Sequence, residues 1–430
     1  MIDIDSLRKN PQLYRESTKN RNLDPKVVDK FLALDDAWRK LSLEVETMRS
    51  QQKKLGAERK IEEAKQLKEK IAAGNEQINL LEPKRKEALF QIPNLVHKDV
   101  PVGKDESENK PIRSWGKIPQ FKFKPKDHVD LGEALGLIDV ARAVKVSGAR
   151  FVYLKGGAAR LQTALIQFVF DTLTNPKIVK KLADSVKKGY NPKPFVPIFP
   201  PVMIKPEAFT RMARLSPQDA DEKYKLSQDD LYLVGSAEHT LGSMYMDEVL
   251  KEEELPIRYI GYSTSFRREA GSYGKDMRGM IRLHQFDKLE MESFTTPEES
   301  EKEHNLFVAI QEYLLQQLEL PYQVVAICTG DMGRPDFKQT DMEVWMPAQN
   351  KYRETHTADY MTDYQTRRLG TKYSYTLNGT RYTAYVHTND ATAFAIGRTL
   401  VAIIENYQTE KGTVKVPKVL QKYCGLKEIV

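Results

Sequence analysis

Cysteine is almost absent from this chain. Only Cys328 and Cys424 occur among 430 residues, far apart and outside any CxxC. That excludes a disulfide framework and zinc fingers. No apolar run approaches the roughly 18 residues of a membrane span, so no membrane association is expected. The opening MIDIDSLRKN has neither a basic start nor an apolar stretch, and no signal peptide is expected. These absences together lead to the expectation of a cytoplasmic protein. Charge, by contrast, is plentiful. Asp, Glu, Lys and Arg make up 30% of the chain, and the mean hydropathy of −0.56 suits a soluble protein. A formal charge of +7 fits a polyanionic partner, although many enzymes are mildly basic. The length suggests two or three domains, each large enough to bury a core.

The first hundred residues carry a period of seven. Asp24-Pro25 reads as an N-cap followed by proline at the first helical position. Leu34, Leu41, Met48 and Leu55 then recur at steps of seven, with Phe31, Trp38 and Val45 at the alternate seam positions. A second seam runs through Ala64, Leu67, Ile71, Ile78, Leu81, Ala88 and Ile92, after a break near Gly56–Ile61. Two heptad helices with one break predict an antiparallel coiled-coil hairpin. At about 1.5 Å per residue each arm would be roughly 45–50 Å long. Pro83 is expected to bend the second helix. Lys53, Lys54, Arg59, Lys60, Lys65, Lys68 and Lys70 gather towards the tip. A solvated coiled-coil surface accounts for them; so does a lever that touches nucleic-acid phosphates.

Pro93, Pro101, Gly103 and Pro111 punctuate the next stretch, and KDESENK is polar and charged. The reading divides the chain into a hairpin domain 1–103, a linker 104–118 and a globular domain 119–430. In the last, helical stretches at 158–174 and 298–318 alternate with strand-like runs at 257–266, 281–292 and 381–387. An α+β domain with a mainly antiparallel sheet flanked by helices follows.

The most informative stretch is Phe266–Glu292. It reads as strand, basic glycine-bearing loop (Gly271, Gly274, Lys275, Arg278, Gly279), then strand. Arg267 closes the first strand. Arg282, Phe286 and Glu290 fall at even steps on the second and are expected on one face. Arginine orients a phosphate, an aromatic ring stacks on a base, and a carboxylate holds an ammonium or hydroxyl. A basic hairpin on a sheet edge would carry the same residues without a site.

FRREAGSYGKDMRG followed by IRLHQFDKLE resembles motif 2 of class II aminoacyl-tRNA synthetases, in the form found in seryl-tRNA synthetases. Other pieces follow in order. Residues 147–168 with FPPVMI at 199–204 resemble motif 1, and AIGRTLVAIIENYQ at 395–408 resembles motif 3. CTGDMG at 328–333, EVWMPAQNKYRE at 343–354, the segment 92–109 and the tail VPKVLQKYCGLKEI are also family-like. The resemblance covers essentially the whole chain.

It implies a serine–tRNA ligase. Such an enzyme activates L-serine with ATP to seryl-adenylate, then moves it to the 3′ end of tRNA-Ser, and of tRNA-Sec where present. Arg267 and Arg398 would be the catalytic cations. Arg267, Arg268, Glu269, Arg282, Leu283, Phe286, Glu354, Thr355, His356, Thr357 and Arg398 would bind ATP. Glu354 and Thr357 would also take its Mg²⁺. Ser236, Ala237, Glu238, Arg267, Glu290, Asp390 and Thr392 would form the serine site. Pro201 would lie at a homodimer interface, and the hairpin would grip the long variable arm of tRNA.

This chain departs from the family in the serine pocket. Ser236-Ala237-Glu238 stands for Thr-(Ala/Ser)-Glu and is followed by His239. Glu354-Thr355-His356-Thr357 stands for Glu-(Ile/Val)-Ser-Ser, and Asp390-Ala391-Thr392 for Asn-Gly-Ser. Ser236, Thr357 and Thr392 keep a hydroxyl. Asp390 removes a donor and adds an acceptor for an ammonium or hydroxyl. The resulting expectation is serine. The alternative is a paralogue with another amino-acid substrate, or with a carrier-protein or regulatory role. Retention of the hairpin, Arg267 and Arg398 argues against the last two. A zinc site on His239 and His356 is not expected, since no cysteine occupies a matched pocket position.

Overall fold

The computed structural model describes residues 1–216, 220–270 and 279–430. Gly271, Gly274, Lys275 and Arg278 of the basic loop lie outside them. The chain forms two compact units, Met1–Val96 and His97–Val430.

In the first unit, α1 (Ile4–Lys9) and α2 (Pro11–Asn20) precede the long pair α3 (Lys26–Ala57) and α4 (Ile61–Gln91). Pro25 stands at the N-cap of α3, and the Asp24 carboxylate just ahead of it accepts the Lys26 N–H at 2.9 Å. The expected break becomes a tight turn at Glu58–Lys60, with Arg59 at φ 59°. Heptad positions from Phe31 to Leu55, and from Ala64 to Ala88, are buried or half-buried, while the seven tip cations are exposed. Periodicity alone therefore located the seam, because a two-helix interface is a local pattern. Gly74 belongs to it as well. A Cβ there would lie 2.5 Å from Val45 Cγ2, so the glycine permits close helix approach. α4 continues through Pro83.

One polar element is buried at the base of the pair. Asp35 accepts two hydrogen bonds from Arg8, at 2.7 and 2.9 Å, and one from Arg85 at 2.8 Å. The Arg85 guanidinium also lies 4.5 Å from the Trp38 ring centroid. Burial pushes the Asp35 carboxyl up, but Arg8 and Arg85 outweigh it and hold the group below its ordinary range. A depressed folded-state pKa stabilises above the unfolded carboxylate pKa, and that contribution is lost as pH falls. Asp35→Ala leaves two arginines without their shared anion. It should destabilise this unit by about 2 kcal/mol, less than for a fully enclosed pair because Arg8 reaches solvent. Thermal melts at neutral and acidic pH check this: the deficit against the parent chain should shrink as pH falls.

The second unit is built on an eight-stranded sheet. Its strands are β1 (Lys110–Trp115), β2 (Val196–Ile198), β3 (Ile257–Phe266), β4 (Gln285–Thr295), β5 (Tyr322–Ala326), β6 (Lys338–Met346), β7 (Lys351–Thr362) and β8 (His387–Ala395). Their spatial order is β1-β5-β6-β7-β8-β4-β3-β2, antiparallel except where β2 joins β3. Helices α5 (Gly156–Leu173), α6 (Pro176–Val186), α7 (Ser300–Gln317) and α8 (Ile396–Asn406) accompany it. Leu161, Phe168, Phe307, Leu314 and Ile403 from these helices meet Leu289, Met291, Met342 and Phe394 of the sheet in one apolar core. On β4 the odd residues Leu289 and Met291 face that core. The even residues Lys288, Glu290 and Glu292 therefore project from the opposite, polar face.

Three sequence expectations shift. The segment 104–118, read as a linker, contains the helical turn Glu106–Glu108 and strand β1, which pairs with β5. All six residues of β1 are exposed, so no apolar alternation marks KPIRSW as a strand. Arg282, read as part of a strand, precedes β4 by three residues and lies in irregular chain. The strand over 381–387 divides: Thr380–Tyr385 joins a separate three-stranded sheet, and β8 begins at His387.

Candidate active site

A cavity opens on the polar face where β4, β7 and β8 lie side by side. Its lining includes Arg214, Glu238, Arg267, Glu269, Arg282, Leu283, Phe286, Lys288, Glu290, Glu354, Thr355, Thr357, Asp359, Asp390, Thr392 and Arg398.

One end combines cations with an aromatic ring. Arg267 follows β3 and donates from Nε to Gly235 O at 3.2 Å, and its guanidinium lies 5.3 Å from the Phe286 ring centroid. Glu269, at φ 52°, is ion-paired with Arg282. Arg398 sits in the first turn of α8 and donates to Glu354 Oε1 at 2.7 Å and Glu354 O at 3.0 Å. Arg398 holds the Glu354 carboxyl below its ordinary value, against burial. Planar cations around a ring face are suited to a nucleotide and its phosphates.

The other end is dense in carboxylates. Ser236 Oγ donates to Glu290 Oε2 at 3.1 Å, and Lys288 Nζ lies 2.6 Å from the same oxygen. Burial pushes the Glu290 carboxyl up, Lys288 opposing and Glu238 adding to it. In the strand register Asp390 lies opposite Glu292 on β4 and opposite Asp359 on β7, without a hydrogen bond between the carboxyls. Burial, then Glu238 and Asp359, raise the Asp390 carboxyl well above its usual range. Glu238 behaves oppositely. Burial would raise it, but Arg214, 2.7 Å away, leads the groups that bring it down to about 2. A surface of buried acceptors with few donors suits an ammonium and a hydroxyl.

Most residues expected from the sequence thus line one cavity. His356 does not: β7 carries a bulge opposite Met342 and Glu343, which turns Glu354 and Thr357 to the cavity and sets His356 against Met342 of the core. Its Nδ1 meets Thr355 Oγ1 at 2.7 Å, its ring packs edge-on against Phe394, and burial pushes its pKa down to about 3. His239 accepts the Gly235 N–H at 3.1 Å and packs on Phe209; burial holds it well below its ordinary value. Both are neutral packing groups, on opposite faces of the sheet. Ser236, Ala237 and Arg268 also lie outside the lining: Ser236 is buried behind it, its hydroxyl against Glu290 and Lys288; Ala237 is buried ahead of the short helix Glu238–Leu241; and Arg268 is tied by its N–H to Glu222 O. Pro201 is exposed, and its carbonyl accepts the Thr240 hydroxyl at 3.1 Å.

Sequence reading missed Arg214, Lys288 and Asp359. Lys288 was recoverable, because it shares the parity of Phe286 and Glu290. Asp359 likewise shares the parity of Thr357 on β7, whereas Arg214 carries no periodic or motif signal.

Two family profiles match the chain. Residues 1–96 match the seryl-tRNA synthetase N-terminal domain, and residues 223–407 match the class II tRNA synthetase core domain (G, H, P, S and T). The serine–tRNA ligase of Thermosipho melanesiensis is 43% identical over 445 residues, spanning 100% of both chains. The crystal structure of seryl-tRNA synthetase from Pyrococcus horikoshii complexed with ATP is 39% identical, with a TM-score of 0.91 over 100% of this chain and 99% of that one. The cytoplasmic enzyme of Naegleria fowleri in complex with AMP is 33% identical, with a TM-score of 0.88 over 100% and 98%. Identity of this depth along the full length, on the same two-unit architecture, establishes that the chain belongs to the seryl-tRNA synthetase family of class II aminoacyl-tRNA synthetases.

Proposed function

We propose that the chain is a serine–tRNA ligase, using ATP to make seryl-adenylate and passing the seryl group to tRNA-Ser, and to tRNA-Sec where present. The carrying observation is one cavity with Arg267 against Phe286 at one end and, at the other, Glu290 backed by the buried Ser236 hydroxyl. In this reading adenine stacks on Phe286 beside Glu269, Arg282 and Leu283. Arg267 bridges the α-phosphate and the serine carboxylate, and Arg398 meets the γ-phosphate. The amine and hydroxyl of serine face Ser236, Glu238, Glu290, Asp390 and Thr392.

The serine carboxylate attacks the α-phosphorus in line and pyrophosphate leaves. The 3′-terminal hydroxyl of tRNA then attacks the adenylate carbonyl and AMP leaves. Both steps need alignment and neutralised charge rather than a protein nucleophile. Glu354 and Thr357 both line the cavity, and a carboxylate with a hydroxyl is a hard oxygen donor pair suited to Mg²⁺. When bound there with ATP, Mg²⁺ would supply further phosphate charge neutralisation.

In this reading the first unit, Met1–Val96, serves as the tRNA-binding domain and the second, His97–Val430, whose sheet includes β1, as the catalytic domain; Pro201 belongs to a homodimer contact of a cytoplasmic enzyme. No helix among the described residues is long and apolar enough to cross a membrane.

ATP–pyrophosphate exchange across the amino acids tests the substrate. Serine should support exchange, with threonine at least about a hundredfold poorer and alanine poorer still, because a site built to bond a hydroxyl rejects its absence. Equal exchange with threonine would sink the serine reading in favour of an altered substrate.

A further inference from the structure

The carboxylate end of the cavity holds a cation that the reading above does not use. Arg214 lies in irregular chain after the short helix Pro206–Arg211, with its side chain 18% exposed. Its Nε is 2.7 Å from Glu238 Oε1. Its Nη2 is 3.6 Å from both Asp359 and Asp390, and 4.0 Å from Asp336. These four carboxylates come from four separate segments: the short helix at Glu238, the chain before β6, β7 and β8. Arg214 is the charge they share. Beyond Asp390 lies Glu292, fully buried, with neither oxygen bonded to a protein group.

We propose that Arg214 is a positioning residue for the amino-acid substrate, holding the Glu238 and Asp390 side chains so that their oxygens face the substrate's ammonium and hydroxyl. The proposal rests on the serine-activating reading of the cavity. Burial already raises Asp359 and Asp390 well above their usual range with Arg214 in place, while Arg214 leads the charges that hold Glu238 down; without the guanidinium Glu238 would take up a proton more readily and the crowded carboxyls would turn away from one another. The remaining cations near Glu238, Lys288 and Arg267, are committed to Glu290 and Gly235. His239 is neutral and supplies no charge. Burial works against the Arg214 charge, yet Glu238 and then the three aspartates raise its pKa well above the ordinary value. The guanidinium therefore stays charged across the working pH range.

The test is ATP–pyrophosphate exchange with KM measured separately for serine and for ATP. Arg214→Met should raise the serine KM by about 30-fold or more, with the ATP KM within about twofold. Arg214→Lys should restore most of that loss by returning a charge. The acidic limb of the kcat/KM profile for serine should move up by about one pH unit in Arg214→Met, as buried Glu238 retains its proton longer. The groups facing that titration are His239, Lys288, Arg267, Glu290, Glu292, Asp336, Asp359 and Asp390. Should Arg214→Met not fold, Arg214→Met with Asp359→Asn lowers the buried charge imbalance and should fold while keeping the raised serine KM.

An unchanged serine KM in either methionine variant overturns the proposal. So does a uniform loss with no shift of the limb and no rescue by lysine, which marks a scaffold role alone. Absence of serine-dependent exchange in the unaltered chain would strike at the function reading instead.

Discussion

Arg267→Ala should abolish serine-dependent ATP–pyrophosphate exchange, with a fall of about a thousandfold or more, equivalent to about 4 kcal/mol of transition-state stabilisation. The size follows from the position. Arg267 is held from two sides, by Gly235 O through Nε and by the Phe286 ring under its guanidinium. A cation fixed before substrate arrives does not need to reorganise as negative charge moves onto the leaving pyrophosphate. The neighbouring cations cannot replace it. Arg282 is engaged by Glu269, and Arg398 by Glu354. Both kcat and kcat/KM should therefore fall, since the loss concerns charge that develops in the transition state. Thermal stability should stay close to the parent, because Arg267 is a cavity residue. Near-normal exchange in this variant would overturn the assignment of the cavity.

Removing residues 30–90 should have an equally large effect on a different step. Serine-dependent exchange should persist within about threefold, because every lining residue of the cavity lies in the second unit. Transfer to tRNA-Ser should fall by about a thousandfold, since affinity for a polyanion rests on several phosphate contacts acting together. Substituting Lys53, Lys54, Lys65 and Lys68 by glutamate offers the same test with the hairpin kept. These side chains are exposed and lie off the seam, so the helices should fold and charging should still collapse. The residual activity of the unaltered chain should also decline steeply with salt. Normal charging by the truncated enzyme would refute the lever.

How far the sequence reached depends on how local each signal was. The hairpin was legible because its seam repeats within one helix and needs only one partner of the same kind. Gly74 escaped, since a glycine in a helical pattern reads as a weakness and shows its use only against Val45. Strand β3 agrees with the sequence reading at both ends, Ile257 and Phe266. KPIRSW was invisible as a strand because its pairing comes from the backbone of β5.

In the cavity, resemblance supplied the residues that keep the family pattern, and alternation explained why Phe286 and Glu290 meet. His356 was misplaced because a contiguous motif suggested four neighbouring contacts, whereas an extended strand turns only alternate residues to one side and a bulge decides which. Arg214 was unreadable for a different reason. Its partners Glu238, Asp336, Asp359 and Asp390 are far from it and from one another along the chain, and only the assembled sheet brings their charges together.

The outermost strand β1 has a consequence for solubility. An eight-stranded sheet with a bare edge invites another chain to add to it and grow. Here Pro111 lacks an amide hydrogen, the register breaks between Pro111 and Arg113, and Lys110 places positive charge on the strand, while Arg113 is tied to Glu312. A second copy approaching this edge would find a missing donor, a displaced backbone and its own charge repeated. The short stretch that closes the sheet thus also guards a concentrated solution of the protein against aggregating through that edge.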